Sequence, residues 1–289
     1  MGKVLHCIFH SLIDTAQVFL VVFLLYIVIS FIEGKISRKL SKTTKFSVII
    51  GASIGLIPQC GFSIVSADLY RKKKISIGTL MAVFIACSDE ASPIILANPT
   101  SIKSVLPLLL VKFISAIAFG YLLDLIFKSK RLILNTNEKS IIHKGCCHHE
   151  IEYKDESNIK KHLLHPFIHS LKIAIYIFII NLIFELGFEY IGEDNIKTFI
   201  LSNSYLTPLL SSLIGLIPNC ASSVIISELY VNSTISFAAC ISGLICNAGL
   251  GLVFLYKDKK QIKNSLLITL LLFTISLIVG YSLFIFENI

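Results

Sequence analysis

The chain has 289 residues, of which 55% are hydrophobic and only 15% are charged, and its mean hydropathy is +0.80. Soluble domains carry roughly 25% charged residues, so this composition argues against a water-soluble fold and indicates a membrane-embedded one. The formal net charge is +8. The Lys and Arg residues cluster beside apolar segments, which is typical of membrane topology and does not indicate nucleic-acid binding.

Several apolar runs have the length of a membrane-spanning helix, which needs roughly 20 such residues. They predict an all-α integral membrane protein. The N-terminus has no small-residue cleavage pattern before its long apolar stretch, so no removable signal peptide is expected. The runs are Ala16 to Ile32, Leu106 to Phe127, Ile173 to Leu186 and Leu266 to Phe286.

An internal repeat is the strongest signal in the sequence. The heptamer from Ile54 to Cys60, Ile-Gly-Leu-Ile-Pro-Gln-Cys, recurs from Ile214 to Cys220 with Asn in place of Gln. Further matches keep the same spacing, among them the carboxylates Asp68 and Glu228. Matches in one register over such a distance indicate that a structural unit is duplicated.

Positive charges predict the orientation of each copy. The segment Phe46 to Tyr70 is broken at Pro58, and Arg71 to Lys74 follow it immediately. A re-entrant hairpin of two half-helices would keep these charges cytoplasmic, whereas a simple span would not. The equivalent segment, Leu206 to Tyr230, has no basic cluster after it, so the second copy should be inverted.

The predicted architecture is therefore two inverted-topology repeats, each with a re-entrant or broken helical hairpin and a discontinuous transmembrane helix. This architecture is typical of secondary transporters. The predicted domains are residues 1–127 for the first repeat, 128–161 for a cytoplasmic linker containing His and Cys, and 162–289 for the second repeat.

The helix breaks mark the candidate transport site, because irregular backbone at membrane depth must be buried in protein or line a wet cavity. Thiols suit soft metals and trivalent metalloids, while carboxylate and amide oxygens suit manganese. The Asp89-Glu90 pair suits cation binding or proton coupling, unless it lies at the outer interface. The candidate substrate-contacting residues are Pro58, Gln59, Cys60, Ser63, Cys87, Asp89, Glu90, Pro218, Asn219, Cys220, Ser223 and Asn247.

Histidine and cysteine form further candidate metal ligands. His6 and His10, like His165 and His169, have i, i+4 spacing, which fits metal contact, a proton relay or simple solvation of a helix entry. Neither pair carries the Glu of a zinc-protease motif. The linker cluster suggests metal capture, although a tolerated low-complexity loop would look similar. Its ligands are His143, Cys146, Cys147, His148 and His149.

The Pro-amide-Cys repeats, the paired His-x-x-x-His entries and the linker cluster together resemble a bacterial family of ten-segment heavy-metal exporters. Members of that family are named arsenic efflux proteins or manganese transporters, and the chain is more distantly similar to organoarsenical permeases. The resemblance implies a multi-pass efflux carrier of the plasma membrane. It leaves the choice among manganese, arsenic and a thiophilic divalent cation open. The second copy has Gly249-Leu250 where Asp89-Glu90 would fall, so strict two-fold coordination is not expected.

The predicted function is secondary transport that exports a heavy metal or metalloid across the lipid bilayer. No arrangement of nucleophile and base suggests an enzyme, and no cofactor is expected beyond the metal as substrate. The sequence lacks G-x-x-x-x-G-K-[ST], so the energy for transport would come from proton or cation coupling or from a partner protein. A carrier of a small anion or organic solute and a membrane metal sensor remain alternatives. Homo-oligomerisation is left open.

Overall fold

The computed structural model describes residues 46–87, 91–98, 101–127, 204–257 and 261–287 in full, and 11–27 and 165–191 in part. Within these ranges every regular element is helical, as the composition predicts. Several described segments are long and apolar enough to cross a membrane. They are Ile77–Ala97, Ile102–Ile126, Phe237–Leu255 and Ile262–Glu287.

The described helices form two matching series in chain order. The first comprises α1 (Ser47–Gly55), α2 (Cys60–Arg71), α3 (Ile77–Ala86), α4 (Ala91–Ala97) and α5 (Ile102–Ile126). After α6 (His165–Ile191), the second comprises α7 (Thr207–Gly215), α8 (Cys220–Val231), α9 (Phe237–Cys246), α10 (Leu250–Leu255) and α11 (Ile262–Glu287). The bounds of the first three pairs differ by the 160 residues that separate Cys60 from Cys220.

Each series contains a three-helix layer whose middle member is the buried one. Helix α3 packs between α1 and α5, and α9 packs between α7 and α11. Glycine permits the close approach: a Cβ on Gly55 would lie 2.6 Å from the carbonyl oxygen of Val83. Small residues at such contacts are the usual means by which membrane helices pack tightly. The span Phe237–Leu255 is consequently 94% buried, against 33% for Ile262–Glu287.

The start of each middle helix is capped in the same way. Ser76 caps α3 and Ser236 caps α9, each accepting a hydrogen bond from a backbone N–H three residues on. A carboxylate from the neighbouring long helix accepts a second one: Asp124 Oδ1 from the Gly78 N–H at 2.9 Å, and Glu287 Oε1 from the Ala238 N–H at 3.0 Å. Acidic groups at helix N-termini also oppose the positive end of the helix dipole.

The two series interlock through their short helices. Helix α2 packs against α10, and α8 packs against α4. The contact between α2 and α10 is made at Gly251, where an added Cβ would lie 2.7 Å from the backbone of Ser63. Gly249, which caps α10, has φ 56° and ψ −151°, a conformation that is essentially restricted to glycine.

A buried charge lies within one of the predicted spans. The predicted apolar run from Leu106 to Phe127 lies within helix α5 and its C-terminal cap; the helix begins at Ile102 and contains Lys112, whose side chain is fully buried. Its position is explained by packing against α3 and α9, which hydropathy along the chain does not reveal.

Candidate metal-binding site between two helix breaks

The two Pro-containing breaks follow the same backbone path. We call residues 56–59 the first tip and residues 216–219 the second tip. In the first, the Gln59 N–H donates to the Ile57 carbonyl at 2.8 Å; in the second, the Asn219 N–H donates to the Ile217 carbonyl at 2.8 Å. Proline interrupts the helix because it lacks an N–H donor and clashes with the preceding turn. Each tip then delivers a Cys as the first residue of the next helix.

The two tips meet at their cysteines. The Sγ atoms of Cys60 and Cys220 lie 3.3 Å apart, and neither cysteine forms a disulfide. Cys60 is 4% exposed, while Cys220 is half-buried. Residues that are separated by 160 positions therefore form one dithiol cluster, which joins the first series of helices to the second.

The dithiol cluster lies at the N-terminal ends of α2 and α8. Each end carries the positive pole of a helix dipole, which favours a negatively charged ligand. The capping differs between the two: the Asn219 side chain accepts a hydrogen bond from the Ala221 N–H at 3.4 Å, whereas Gln59 makes no side-chain cap. Thiolate sulfur is the form that binds metals. The positive helix ends favour this negatively charged form of Cys60 and Cys220, so their position suits metal ligation.

The serines predicted as substrate contacts also stabilise the first helical turns. Ser63 Oγ donates to the Cys60 carbonyl at 2.8 Å, and Ser223 Oγ donates to the Cys220 carbonyl at 2.8 Å. Both side chains are buried. Their hydroxyl protons are thus used by the backbone that positions the two cysteines.

Asn247 connects the break between α9 and α10 to the second tip through hydrogen bonds. Its Nδ2 donates to Ser222 Oγ at 3.2 Å, and Ser222 Oγ donates to the Asn219 carbonyl at 2.7 Å. Its Oδ1 accepts a bond from the Gly249 N–H at 2.9 Å. Asn247 is 3% exposed, so this amide is a buried connector between the discontinuous span and the dithiol cluster.

Cys87 occupies the equivalent position in the first series and is also buried. Its carbonyl, which ends α3, accepts a hydrogen bond from Lys112 Nζ, and the Leu244 carbonyl on α9 accepts another at 3.0 Å. The sequence interpretation missed Lys112. A Lys near the middle of a long, largely apolar run is the signal that could have identified it.

The profile of a family described as "Putative, 10TM heavy-metal exporter" matches residues 5–174 and 154–287. The chain belongs to this heavy-metal exporter family. The resemblance inferred from the tips, the His pairs and the linker cluster is thereby confirmed. No curated protein and no solved structure matches the chain.

Membership of the exporter family implies a membrane-embedded transporter with a metal substrate. Within the described residues, no group of three or more His, Cys, Asp or Glu side chains could hold a metal ion. Among the described residues, the dithiol cluster therefore offers two sulfur atoms without a third His, Cys, Asp or Glu side chain beside them.

Of the remaining predicted site residues, some belong to the described part of the chain and others lie outside it. Pro58 is exposed at the first tip and Pro218 is half-buried at the second. The side chains of His165 and His169 lie outside the described residues, although the backbone there begins α6. Also outside the described residues are His6, His10, Asp89, Glu90, His143, Cys146, Cys147, His148 and His149. Their roles stay predictions.

Proposed function

We propose that this exporter carries a thiophilic metal or trivalent metalloid, bound between Cys60 and Cys220, by secondary transport. The observation that carries the proposal is the 3.3 Å separation of the two Sγ atoms at the meeting point of the two tips. Soft sulfur ligands select soft cations over manganese, which prefers oxygen. The donor set at the tips therefore favours cadmium, zinc or trivalent arsenic as substrate.

The sulfur geometry needs only a small adjustment to hold such an ion. Metal–sulfur bonds of about 2.3 Å in a tetrahedral site place two sulfurs about 3.8 Å apart. Cys60 and Cys220 would therefore separate by about 0.5 Å from their present distance of 3.3 Å. Water would complete the coordination. A site with few protein ligands suits transport, because the ion must leave as well as enter.

We infer that the two series are inverted repeats and that the tips are re-entrant. The support is the 160-residue repeat of the helix bounds and the matched capping of α3 and α9. Helix α2 has 12 residues, which is about 18 Å and too short to cross a bilayer. Arg71 to Lys74 follow it directly, which favours a cytoplasmic end for α2.

The site lies where relative motion of the two series would alter it. One sulfur begins α2, which packs on α10, and the other begins α8, which packs on α4. Movement of one series against the other would change the sulfur separation and the side from which the ion is reached. Alternating access by movement of one repeat against the other is typical of inverted-repeat transporters.

Uptake into everted membrane vesicles tests the proposal, with Cd²⁺, Zn²⁺, Mn²⁺ and trivalent arsenite as substrates. Cys60→Ser and Cys220→Ser should each abolish uptake of the thiophilic substrates. Cys240→Ala is the matched control, because Cys240 is fully buried within α9 and should be dispensable. Undiminished Cd²⁺ uptake by the Cys60→Ser/Cys220→Ser double variant would refute the dithiol site.

A small anion is the second candidate substrate, because two helix N-termini converge at the tips. An anion carrier would need the backbone N–H groups and not the sulfurs. Arsenate or phosphate uptake that survives replacement of both cysteines by Ser would favour this alternative over metal export.

A further inference from the structure

An open apolar groove lies beside the second tip. It is lined by residues of α6, the second tip, α10 and α11, and its volume is about 450 Å³. Neither Cys60 nor Cys220 is among its lining residues. Ile183 of α6 lines the groove and is 62% exposed. An exposed apolar side chain on an apolar helix of a membrane protein faces the hydrocarbon of the bilayer, so the groove is reached from the lipid.

The chemistry of the lining favours an apolar occupant. Among the described residues that line the groove, the polar side chains are Tyr256 and Thr269. Their hydroxyl groups hydrogen-bond to each other at 2.7 Å, and Thr269 Oγ1 also donates to the Ser265 carbonyl at 3.0 Å. A metal ion needs oxygen, nitrogen or sulfur ligands. The groove is therefore suited to a hydrocarbon chain and not to the exported ion.

The groove extends along α6 from the second tip to the level of Lys257. Tyr176 and Ile183 are seven residues apart on α6, which places them on one face of the helix about 10 Å apart along its axis. Lys257 Nζ lies 5.2 Å from the centroid of the Tyr176 ring, while Ile183 and Pro218 line the groove. One leaflet contributes about 15 Å of hydrocarbon. The groove therefore follows much of the length of an acyl chain in that leaflet.

The end of the groove beside Lys257 is basic. Arg71 Cζ and Lys257 Nζ each lie 5.2 Å from the centroid of the Phe254 ring, so cations from the two series converge on one aromatic side chain. Lys257 is exposed and directly follows Tyr256, which lines the groove. Guanidinium and ammonium groups form strong, charge-assisted hydrogen bonds with phosphate. This end of the groove therefore suits an anionic headgroup.

The apolar lining and the basic end together fit an anionic phospholipid. A lipid tail is as apolar as the side chains of the groove, so the tail gains little by leaving the bilayer for the groove. Selection among lipids must therefore come from the headgroup. The basic run Arg71 to Lys74 favours the cytoplasmic leaflet, and anionic lipids give the surface of that leaflet its negative potential.

We propose that the groove holds one acyl chain of an anionic phospholipid of the bilayer, whose phosphate lies between Arg71 and Lys257. The chain packs against Leu216 and Pro218 of the second tip, and Pro218 is two residues before Cys220. The lipid thus fills the groove and supports the second tip from the side of the bilayer. Lipid binding requires no metal, so this proposal stands independently of the proposed metal export.

Tryptophan fluorescence tests the proposal, because the chain contains no Trp and a single introduced Trp reports the lipid beside it. Ile183→Trp places the probe at the groove. Ile114→Trp is the matched control, since Ile114 is 63% exposed, lies near the middle of α5 and does not line the groove. Each full-length variant is reconstituted in phosphatidylcholine with a minor fraction of phosphatidylglycerol. Bromine, which quenches Trp on contact, is carried by one lipid or by the other.

Quenching by brominated phosphatidylglycerol should be much stronger for Ile183→Trp than for Ile114→Trp. Each basic side chain near the headgroup predicts a preference of about fivefold for the anionic lipid, so Arg71 and Lys257 together predict about 25-fold. Adding Lys257→Gln to the Ile183→Trp chain should lower the preference to about fivefold. Lys103→Gln is the matched control for charge, because Lys103 is exposed at the start of α5 and does not line the groove.

Equal lipid preference in Ile183→Trp and Ile114→Trp would overturn the proposal. Weak quenching of Ile183→Trp by both lipids would also overturn it, because another part of the chain would then cover the groove. Full preference after Lys257→Gln would contradict the placement of the phosphate. Native mass spectrometry of the parent protein needs no substitution in the groove: phosphatidylglycerol should stay bound through detergent washing and phosphatidylcholine with the same chains should not. Loss of both lipids there would count against the site.

Discussion

Oxidation of Cys60 and Cys220 should join the two series of helices covalently. Their Sγ atoms lie 3.3 Å apart, and a disulfide requires about 2.05 Å. Each sulfur therefore has to move by about 0.6 Å, which a change in side-chain torsion angles can provide. Diamide accepts the two hydrogens that the thiols lose and becomes the corresponding hydrazine. We expect nearly complete cross-linking in native membranes.

The assay uses a full-length chain with a protease site inserted between residues 128 and 161. After oxidation and cleavage, a non-reducing gel should show one band at the 32.1 kDa of the intact chain, and reduction should release two fragments. Cys60→Ser and Cys220→Ser should each prevent the cross-link, while Cys240→Ala should leave it intact. Separate fragments on the non-reducing gel of the oxidised parent protein would refute the observed meeting of the two tips.

Metal ions should protect the same pair from oxidation. A bound thiophilic ion engages both sulfurs and holds them about 3.8 Å apart, so Cd²⁺ should slow cross-linking by diamide. Mn²⁺ should have little effect, because it prefers oxygen ligands. Equal protection by both ions would contradict ligation by the dithiol cluster.

Three further substitutions test the packing that positions the site, each measured by thermal unfolding in detergent. Gly251→Ala would place a Cβ 2.7 Å from the backbone of Ser63, so α2 and α10 must separate; we expect a loss of about 1–3 kcal/mol and weaker Cd²⁺ uptake. Asn247→Ala removes the bonds to Ser222 and Gly249 and should cost about 1–3 kcal/mol. Asp124→Asn weakens the cap of α3 by about 1 kcal/mol and should spare Cd²⁺ affinity. An unchanged midpoint in any variant would contradict the corresponding contact.

The breaks were predictable because their causes are local. Pro58 and Pro218 cannot continue a helix, and the structure ends α1 at Gly55 and α7 at Gly215. The duplication could also be predicted, because the repeated residues keep one spacing along the chain. In the structure, the matched residues occupy matched helix positions. The repeated Pro-amide-Cys motif identified the tips as the candidate site without any knowledge of how they pack.

The partners of the candidate site residues were not predictable. Ser63 and Ser223 both donate to the carbonyl one turn before, which the repeated motif did not indicate, and their predicted substrate contacts stay predictions. Lys112 was hidden within an apolar run, because hydropathy averages over a window and dilutes a single charge. Only the packing of α5 against α3 and α9 brings two carbonyl acceptors to its Nζ.

By itself, the sequence predicted a helical, duplicated membrane protein with breaks at two Pro-amide-Cys motifs, as the described residues show. These features depend on apolar length, proline chemistry and repetition, all of which act along the chain. The tertiary structure alone decided that Cys60 meets Cys220 and that Lys112 bridges both series. Such contacts join residues 160 and 132 positions apart, and they depend on how helices pack across the two series, which no local pattern encodes.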